Sequence, residues 1–283
     1  MDNLFYVIPA MGVVGLLYTF IKFGWVSRQD AGNARMKEIS AYIAEGAMAF
    51  LKAEWKNLVM ANYIVPPGLL KPYLPGGTEL DFFEGKCYMS LVGFLFAHTR
   101  ILGFKIPFHM NFEEVNLRFY VIRNDGTKVK RGVVFIREIV PKRMISWVAN
   151  TFYNEHYSTT RMKHQIHFVE EMQTVNYSWK NGRRWNAILA TASLIPISQI
   201  PGSRENFITE HYWGYSKSKN GTTEYAVEHP QWKIFPVTGY QVDCNFGAQY
   251  GNDFIILDQL DPDFVCWAEG SLIQVRNKKI FSL

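Results

Sequence analysis

At 283 residues, with 48% hydrophobic and 16% aromatic side chains, the chain can bury one large core or two smaller ones, which excludes disorder over most of its length. Its net charge of +5 comes from scattered Lys and Arg residues and outlines no nucleic-acid-binding stripe. Cys87, Cys244 and Cys266 lie far apart with no Cys-x-x-Cys pair, so they suggest neither a metal site nor a disulfide framework and fit a reducing compartment.

Leu4 to Ile21 is almost uninterrupted apolar sequence, and with the residues up to Trp25 it is long enough to cross a hydrocarbon core of roughly 30 Å. The flanking charges Lys22, Arg28, Arg35 and Lys37 all follow it. This pattern predicts a transmembrane helix within residues 1–26, contacting the membrane through residues 4–25. It predicts a single-pass protein of the cell membrane whose C-terminal domain is cytoplasmic. Residues 27–55 carry strong helix formers with Met36, Ile39, Ile43, Ala47 and Phe50 at three- and four-residue steps, which predicts an amphipathic cytoplasmic helix. From residue 56 to 283 the texture is β-rich. Leu58–Val65 and Lys86–Phe96 read as strands, with a short helical piece at Leu69–Leu74 between Pro-Gly turns.

Residues Asn111 to Met144 read as a hairpin about Asn124-Asp125-Gly126. Its first arm carries Glu113, Glu114 and Arg118, and its second Arg137, Glu138 and a terminal Lys142-Arg143 pair. So many charges in a Val-, Ile- and Phe-rich segment either line a cavity or decorate the wet face of a sheet. Beyond it, Ile145–Phe152 suits a short helix, and strands are expected at His164–Glu170, Thr174–Trp179 and Trp185–Ser193. Glu205–Tyr215 has helical character, followed by strands at Tyr225–Val227, Trp232–Val237, Gln241–Phe246 and Leu272–Val275. The expected class is α+β, with a closed or sandwiched, mainly antiparallel β structure and a few helices.

Two families are resembled. Tyr18-Thr-Phe-Ile-Lys22, Gln29-Asp-Ala-Gly32, Met36-Lys-Glu-Ile39 and Glu45-Gly-Ala-Met-Ala-Phe-Leu-Lys-Ala-Glu54 are similar to the first membrane helix and following loop of membrane-integral, ion-pumping pyrophosphatases. The Asp-rich motifs that hold pyrophosphate and Mg²⁺ in that family are missing, so neither pumping nor hydrolysis is implied. From about Phe50 on, Leu74-Pro-Gly-Gly-Thr-Glu-Leu80, Asn111-Phe-Glu-Glu-Val-Asn-Leu-Arg-Phe-Tyr-Val121, Glu210-His-Tyr-Trp-Gly-Tyr215 and Glu228-His-Pro230 resemble the YqjF-like family, domain of unknown function DUF2071. That resemblance implies an acetoacetate decarboxylase-like fold, a mainly antiparallel β barrel or cone with an internal cavity. The likenesses meet at Phe50–Lys56, a join made either by gene fusion or by sequence assembly.

In acetoacetate decarboxylases a Pro-Lys-Lys step supplies a Schiff-base lysine whose pKa is lowered by the neighbouring cation, the standard example of such activation. Pro141-Lys-Arg143 is similar, which implies Lys142 as imine former, Arg143 as perturbing cation and Glu114 as site carboxylate, in a lyase of the decarboxylase or aldolase type. The residues alone leave open a pair of solvated charges at a strand end. Glu210, His211, Tyr212 and Trp213 combine an acid, an imidazole and aromatics as a ligand-pocket wall does, and equally as an amphipathic core helix does. Glu113, Arg118 and Glu138 complete the candidate ligand-binding set. No metal-ligand spacing or cofactor motif is present, and the expected partner is a small organic molecule, with a homo-oligomer left open. The third reading is a truncated pyrophosphatase-like membrane protein without pump or hydrolase activity.

Overall fold

The computed structural model describes residues 51–282 except 102 and 106, together with residues 18, 19, 21, 22 and 25 of the N-terminal segment. The chain divides into two units, Met1–Ala47 and Met48–Leu283. In the first, the described residues are helical. The expected transmembrane helix otherwise lies outside the described residues, and among those described no helix is long and apolar enough to cross a membrane.

The second unit runs through β1 (Leu51–Ile64), α1 (Pro67–Leu70), a 3-10 turn (Lys71–Tyr73), β2 (Glu79–Leu80), β3 (Phe82–Phe83), β4 (Lys86–Ile101), β5 (Phe104–Lys105), β6 (Phe112–Asn124) and β7 (Val129–Val140). Then come α2 (Arg143–Tyr153), β8 (Tyr157–Thr159), β9 (Met162–Val169), β10 (Met172–Asn181), β11 (Arg184–Ser193) and α3 (Arg204–Thr209). The chain ends with β12 (Trp213–Ser218), β13 (Gly221–Glu228), β14 (Ile234–Phe235), β15 (Val237–Asp243), α4 (Phe246–Tyr250), a 3-10 segment (Asn252–Gln259), β16 (Phe264–Val275) and β17 (Lys279–Phe281).

The architecture is mainly β. A large sheet has the order β14-β16-β1-β4-β6-β7-β12-β13-β17, and β13 also pairs β16 at Val227↔Val275. Its pairings are antiparallel except for β7 with β12 and β7 with β8. A second sheet of four strands has the order β15-β11-β10-β9. Strand side chains alternate between faces, so each central strand of the large sheet feeds two cores. One face of β6 (Val115, Leu117, Phe119, Val121) packs with Val175, Tyr177 and Trp179 of β10 and Ile188 of β11. The other face meets Leu58, Met60, Val92, Phe94, Ile145 and Phe207. A strand buried on both sides reads as a continuous apolar run, and β6 is one interrupted by Glu113, Glu114, Asn116 and Arg118 before its polar end at Arg123-Asn124.

The hairpin turn forms as expected. Gly126 takes φ +87°, and Asp125 Oδ1 accepts from the backbone N–H groups of Thr127 and Lys128 at 3.0 Å. Three expectations are corrected. The amphipathic helix of residues 27–55 does not reach its expected end, because Leu51–Trp55 is strand. Ladders to β16 on one side and β4 on the other satisfy that backbone, and this outweighs the helix propensity of Lys, Ala and Glu. The helix expected over Glu205–Tyr215 stops at Thr209, and Trp213 opens β12, paired with Gly132 of β7 and Ala226 of β13. Finally, Gln241–Phe246 is the end of β15 and the start of α4, whose Asn245 side chain caps Ala248 N–H at 2.8 Å.

Candidate functional site

On β6 the residues Glu114, Asn116 and Arg118 are two apart, so they share the face that looks away from the four-stranded sheet. They border a cavity of about 100 Å³, enough for several water molecules. Its walls are largely aromatic and aliphatic: Trp55 and Leu58 of β1, Phe94 and Phe96 of β4, Phe112 of β6, Phe135 of β7, and Ile145, Val148 and Ala149 of α2. Phe135 and Glu138, three apart, would face opposite sides of a regular strand. Arg118 pairs with Phe135 and Leu117 with Arg137, so Ile136 is an extra residue, and this bulge turns both Phe135 and Glu138 to the cavity.

The remaining polar groups arrive from elsewhere. Helix α2 ends on Asn154 at φ +57°, and this left-handed turn leads into buried Glu155. Parallel pairing of β8 with β7 sets Tyr157 beside Glu138. Tyr225 comes from β13 through space left by Gly214, where an added Cβ would stand 2.2 Å from the Tyr225 ring. Asn116 Nδ2 and the Tyr157 hydroxyl donate to the two oxygens of Glu114 at 2.9 and 3.0 Å, and the Tyr225 hydroxyl donates to Glu155 Oε1 at 2.8 Å.

Three glutamates and one arginine therefore share an apolar enclosure. Burial disfavours each carboxylate. It pushes Glu114 up to about 7 despite hydrogen bonds from Asn116 and Tyr157 and the charge of Arg118. It pushes Glu155 up to about 8 against the Tyr225 hydrogen bond, with Glu114 adding repulsion. Glu138 is raised well above the ordinary carboxyl range by burial and by Glu155 and Glu114. Near neutral pH most of this acid cluster holds protons and can donate hydrogen bonds. One oxygen each of Glu138 and Glu155 has no partner among the described residues. Arg118 is buried (7% exposed) and forms no ion pair among them; its Nη2 approaches the Met60 sulfur at 3.5 Å, and its Nε has no partner.

A smaller cavity of about 20 Å³ shares Trp55, Arg118, Phe135 and Val227 with the first and adds His211, Trp213, His229 and Trp232. His211 Nε2 meets Asp81 Oδ2 at 3.0 Å, and Asp81 also accepts from Arg131 Nε at 2.8 Å.

The sequence-predicted residues separate accordingly. Glu114, Arg118 and Glu138 line the main cavity, and His211 and Trp213 the smaller one. Glu113 points to the other face of β6 and meets His164 Nδ1 at 2.6 Å. Glu210 accepts from the Tyr212 hydroxyl at 2.5 Å, and the Tyr212 ring lies against His229. Lys142 and Arg143 line neither cavity: Lys142 is the N-cap of α2, with its carbonyl accepting from Ile145 and Ser146, and Arg143 is exposed. No lysine among the described residues lines the main cavity. Among the described residues no three His, Cys, Asp or Glu side chains converge to hold a metal ion. Asn116, Glu155, Tyr157, Tyr225 and Asp81 were not legible as site residues. Asn116 alone carried a signal, its two-residue spacing from Glu114.

Solved structures share the fold at low sequence identity. An acetoacetate decarboxylase-like enzyme from Sphingomonas wittichii RW1 superposes with a TM-score of 0.56 at 9% identity, covering 83% of this chain and 93% of that one. The enduracididine biosynthesis enzyme MppR complexed with pyruvate superposes with a TM-score of 0.57 at 11% identity, covering 81% and 90%. The fold is thus acetoacetate decarboxylase-like. The protein YqjF of Bacillus subtilis (strain 168) is 24% identical over 188 residues, 65% of this chain and 74% of its own. Pyrophosphate-energized ion pumps also match over 65–99 residues, and the chain spans only 10–14% of their own length. Residues 52–272 match the uncharacterized conserved protein family DUF2071, and the chain belongs to that family.

Proposed function

We propose that the domain binds a small organic acid in the main cavity, its apolar body against the aromatic walls and its carboxylate on Arg118. One observation carries this reading: a buried guanidinium, without a carboxylate partner among the described residues, facing an apolar cavity. A buried cation is costly unless paired, and an anionic ligand would supply the missing charge in a planar, bidentate geometry that suits arginine. The protonated glutamates then act as hydrogen-bond donors to oxygens of the same ligand. MppR, similar in fold, has been captured with pyruvate, which supports a small acid as the ligand class.

An imine-forming lyase through Lys142 draws support only from the Pro141-Lys-Arg143 likeness, since no lysine among the described residues lines the cavity. The reading preferred here for any chemistry is proton transfer by Glu114, Glu138 or Glu155, without a covalent intermediate. Residues 4–25 remain our proposal for a membrane anchor, supported by apolar length and flanking charge; release of the intact chain by carbonate extraction would contradict it.

The test is thermal melting with a panel of C3 to C8 carboxylic and keto acids. At a hundredfold excess over Kd a ligand adds about 2.7 kcal/mol, a shift of several degrees. Arg118→Met should abolish that shift while leaving a folded protein. Equal shifts in both proteins would sink the reading, as would the absence of any shift across the panel. Borohydride trapping with β-keto acids tests the alternative: a Lys142 adduct would restore it.

A further inference from the structure

The smaller cavity is built of fixed parts. Asp81 is set by β2 and β3 on either side of it, and its main-chain N–H donates to the Tyr120 carbonyl at 3.0 Å. Burial disfavours its charge, but hydrogen bonds from His211 and Arg131 outweigh that and hold its carboxyl below the usual range. An ionised carboxylate only accepts, so the His211 nitrogen facing it, Nε2, carries the proton. Burial, opposed by Asp81, pushes the His211 imidazole down to about 4, which leaves it neutral at pH 7. The other nitrogen, Nδ1, then presents a lone pair, and it has no partner among the described residues. Two aromatic rings pack against the imidazole. Tyr120 lies 4.7 Å from its centroid, and Phe207 stands edge-on at 5.2 Å. Arg118, whose guanidinium lies 5.6 Å from the same Tyr120 ring, brings an Nε–H donor that also lacks a partner among the described residues.

The two residues that carry this donor and this acceptor both line a space of about 20 Å³, room for a single oxygen atom with its hydrogen. A hydroxyl group satisfies both at once, accepting from Arg118 and donating to His211. A keto oxygen would set two lone pairs against each other at His211, and a methylene would leave both protein groups unmet. We propose that this chamber is a hydroxyl-binding subsite of the main cavity, and that the ligand is a 2-hydroxy carboxylic acid whose carboxylate and hydroxyl both engage Arg118 while His211 accepts the hydroxyl hydrogen. His211 is then the residue that distinguishes hydroxy acids from keto acids and plain acids, and Asp81 is its positioning residue. The inference rests on the reading of the main cavity as a small-acid site.

The experiment compares 2-hydroxyhexanoate, 2-oxohexanoate and hexanoate, which share one apolar body, by titration calorimetry against the wild-type protein and His211→Phe. In the wild type, 2-hydroxyhexanoate binds at least about tenfold tighter than hexanoate, the worth of one buried hydrogen bond that would otherwise leave both groups unmet. In His211→Phe the ratio falls to about one. If that variant fails to fold, the smaller His211→Leu serves: it too removes the Nδ1 acceptor, which erases the hydroxyl preference. Hexanoate binding with no hydroxyl preference, or a preference that survives both substitutions, overturns the subsite alone. Failure of all three acids to bind overturns the subsite and the small-acid reading together.

Discussion

Glu224 and Tyr225 are neighbours on β13, face opposite sides of the sheet, and belong to two acidic clusters that the fold treats in opposite ways. Glu224 is buried at 4% exposure and fully partnered: Lys130 Nζ at 2.7 Å, Arg123 Nη1 at 2.8 Å and the Tyr215 hydroxyl at 3.0 Å. Lys130 also reaches Asp125 of the hairpin turn and lies over the Trp213 ring at 4.2 Å. Tyr225 faces the cavity, where three glutamates have phenol and amide partners but one arginine between them, and that arginine forms no ion pair among the described residues. The first cluster closes its own charge account and so reads as structure that ties the hairpin to β13. The second leaves donors, acceptors and a cation uncommitted, which folding alone gives no reason to keep.

The sharpest way to break this contrast is to unbalance the closed cluster. Glu224→Ala leaves Lys130 and Arg123 without their shared carboxylate, and loss of one partner in a buried ionic network costs about 3–5 kcal/mol. Urea unfolding should show that loss, with ligand-induced shifts unchanged wherever the variant is folded. A loss below about 1 kcal/mol would mean that the network is solvated and the contrast mistaken. Next in size is Gly214→Ala. Its Cβ would stand 2.2 Å from the Tyr225 ring, and overpacking of this kind costs about 1–3 kcal/mol. Because the displaced ring also carries the hydroxyl bonded to Glu155, acid binding should weaken along with stability, unlike in Glu224→Ala. Unchanged binding would show that the Tyr225–Glu155 bond is no part of the site.

The open cluster makes a prediction in pH. Glu155 holds its proton in the folded state up to about 8, whereas an ordinary glutamate loses it near 4.5. Between those values the folded state binds more protons than the unfolded one, so stability is highest below about 4.5 and falls as pH rises toward 8. Glu155→Gln keeps an acceptor for Tyr225 and removes the titration. It should therefore stabilise the protein at pH 8 by about 1.4 kcal/mol or more, one pKa unit's worth, and leave it unchanged at pH 4.5. Equal effects at both pH values would show that Glu155 does not titrate in this window.

The two clusters also differ in how far the sequence reveals them. The hairpin was legible because an Asp-Gly turn sits between alternating runs, and the even, four-residue spacing of Glu114 and Arg118 on a strand puts them on one face. Glu138 was reached as a charge on the second arm, but not its orientation, because nothing local marks Ile136 as the extra residue of a bulge. Glu155 and Tyr225 are 70 positions apart and meet only through a left-handed helix end and a glycine gap, both tertiary facts. The Glu210–Trp213 stretch misled through its helical texture. There, strand pairing of Trp213 with Gly132 and Ala226 overrides a local preference, as tertiary context commonly does.

Lys142 belongs to neither cluster and gives the smallest expected effect. The motif likeness at Pro141-Lys-Arg143 assigns it an imine, but the backbone uses that position to start α2. What the helix takes from Lys142 is its carbonyl, which any residue supplies, and its side chain makes no cap hydrogen bond. Lys142→Ala should therefore change stability by less than about 0.5 kcal/mol, as at most surface positions, and leave the affinity for small acids unaltered. Arg143→Ala should behave alike, since that side chain stands in solvent at the first turn of the helix. The pair of variants is a direct contest between motif and geometry: a loss of acid binding in Lys142→Ala would mean that α2 unwinds to carry the lysine into the cavity, and the cluster around Arg118 would then be one half of a site rather than the whole of it.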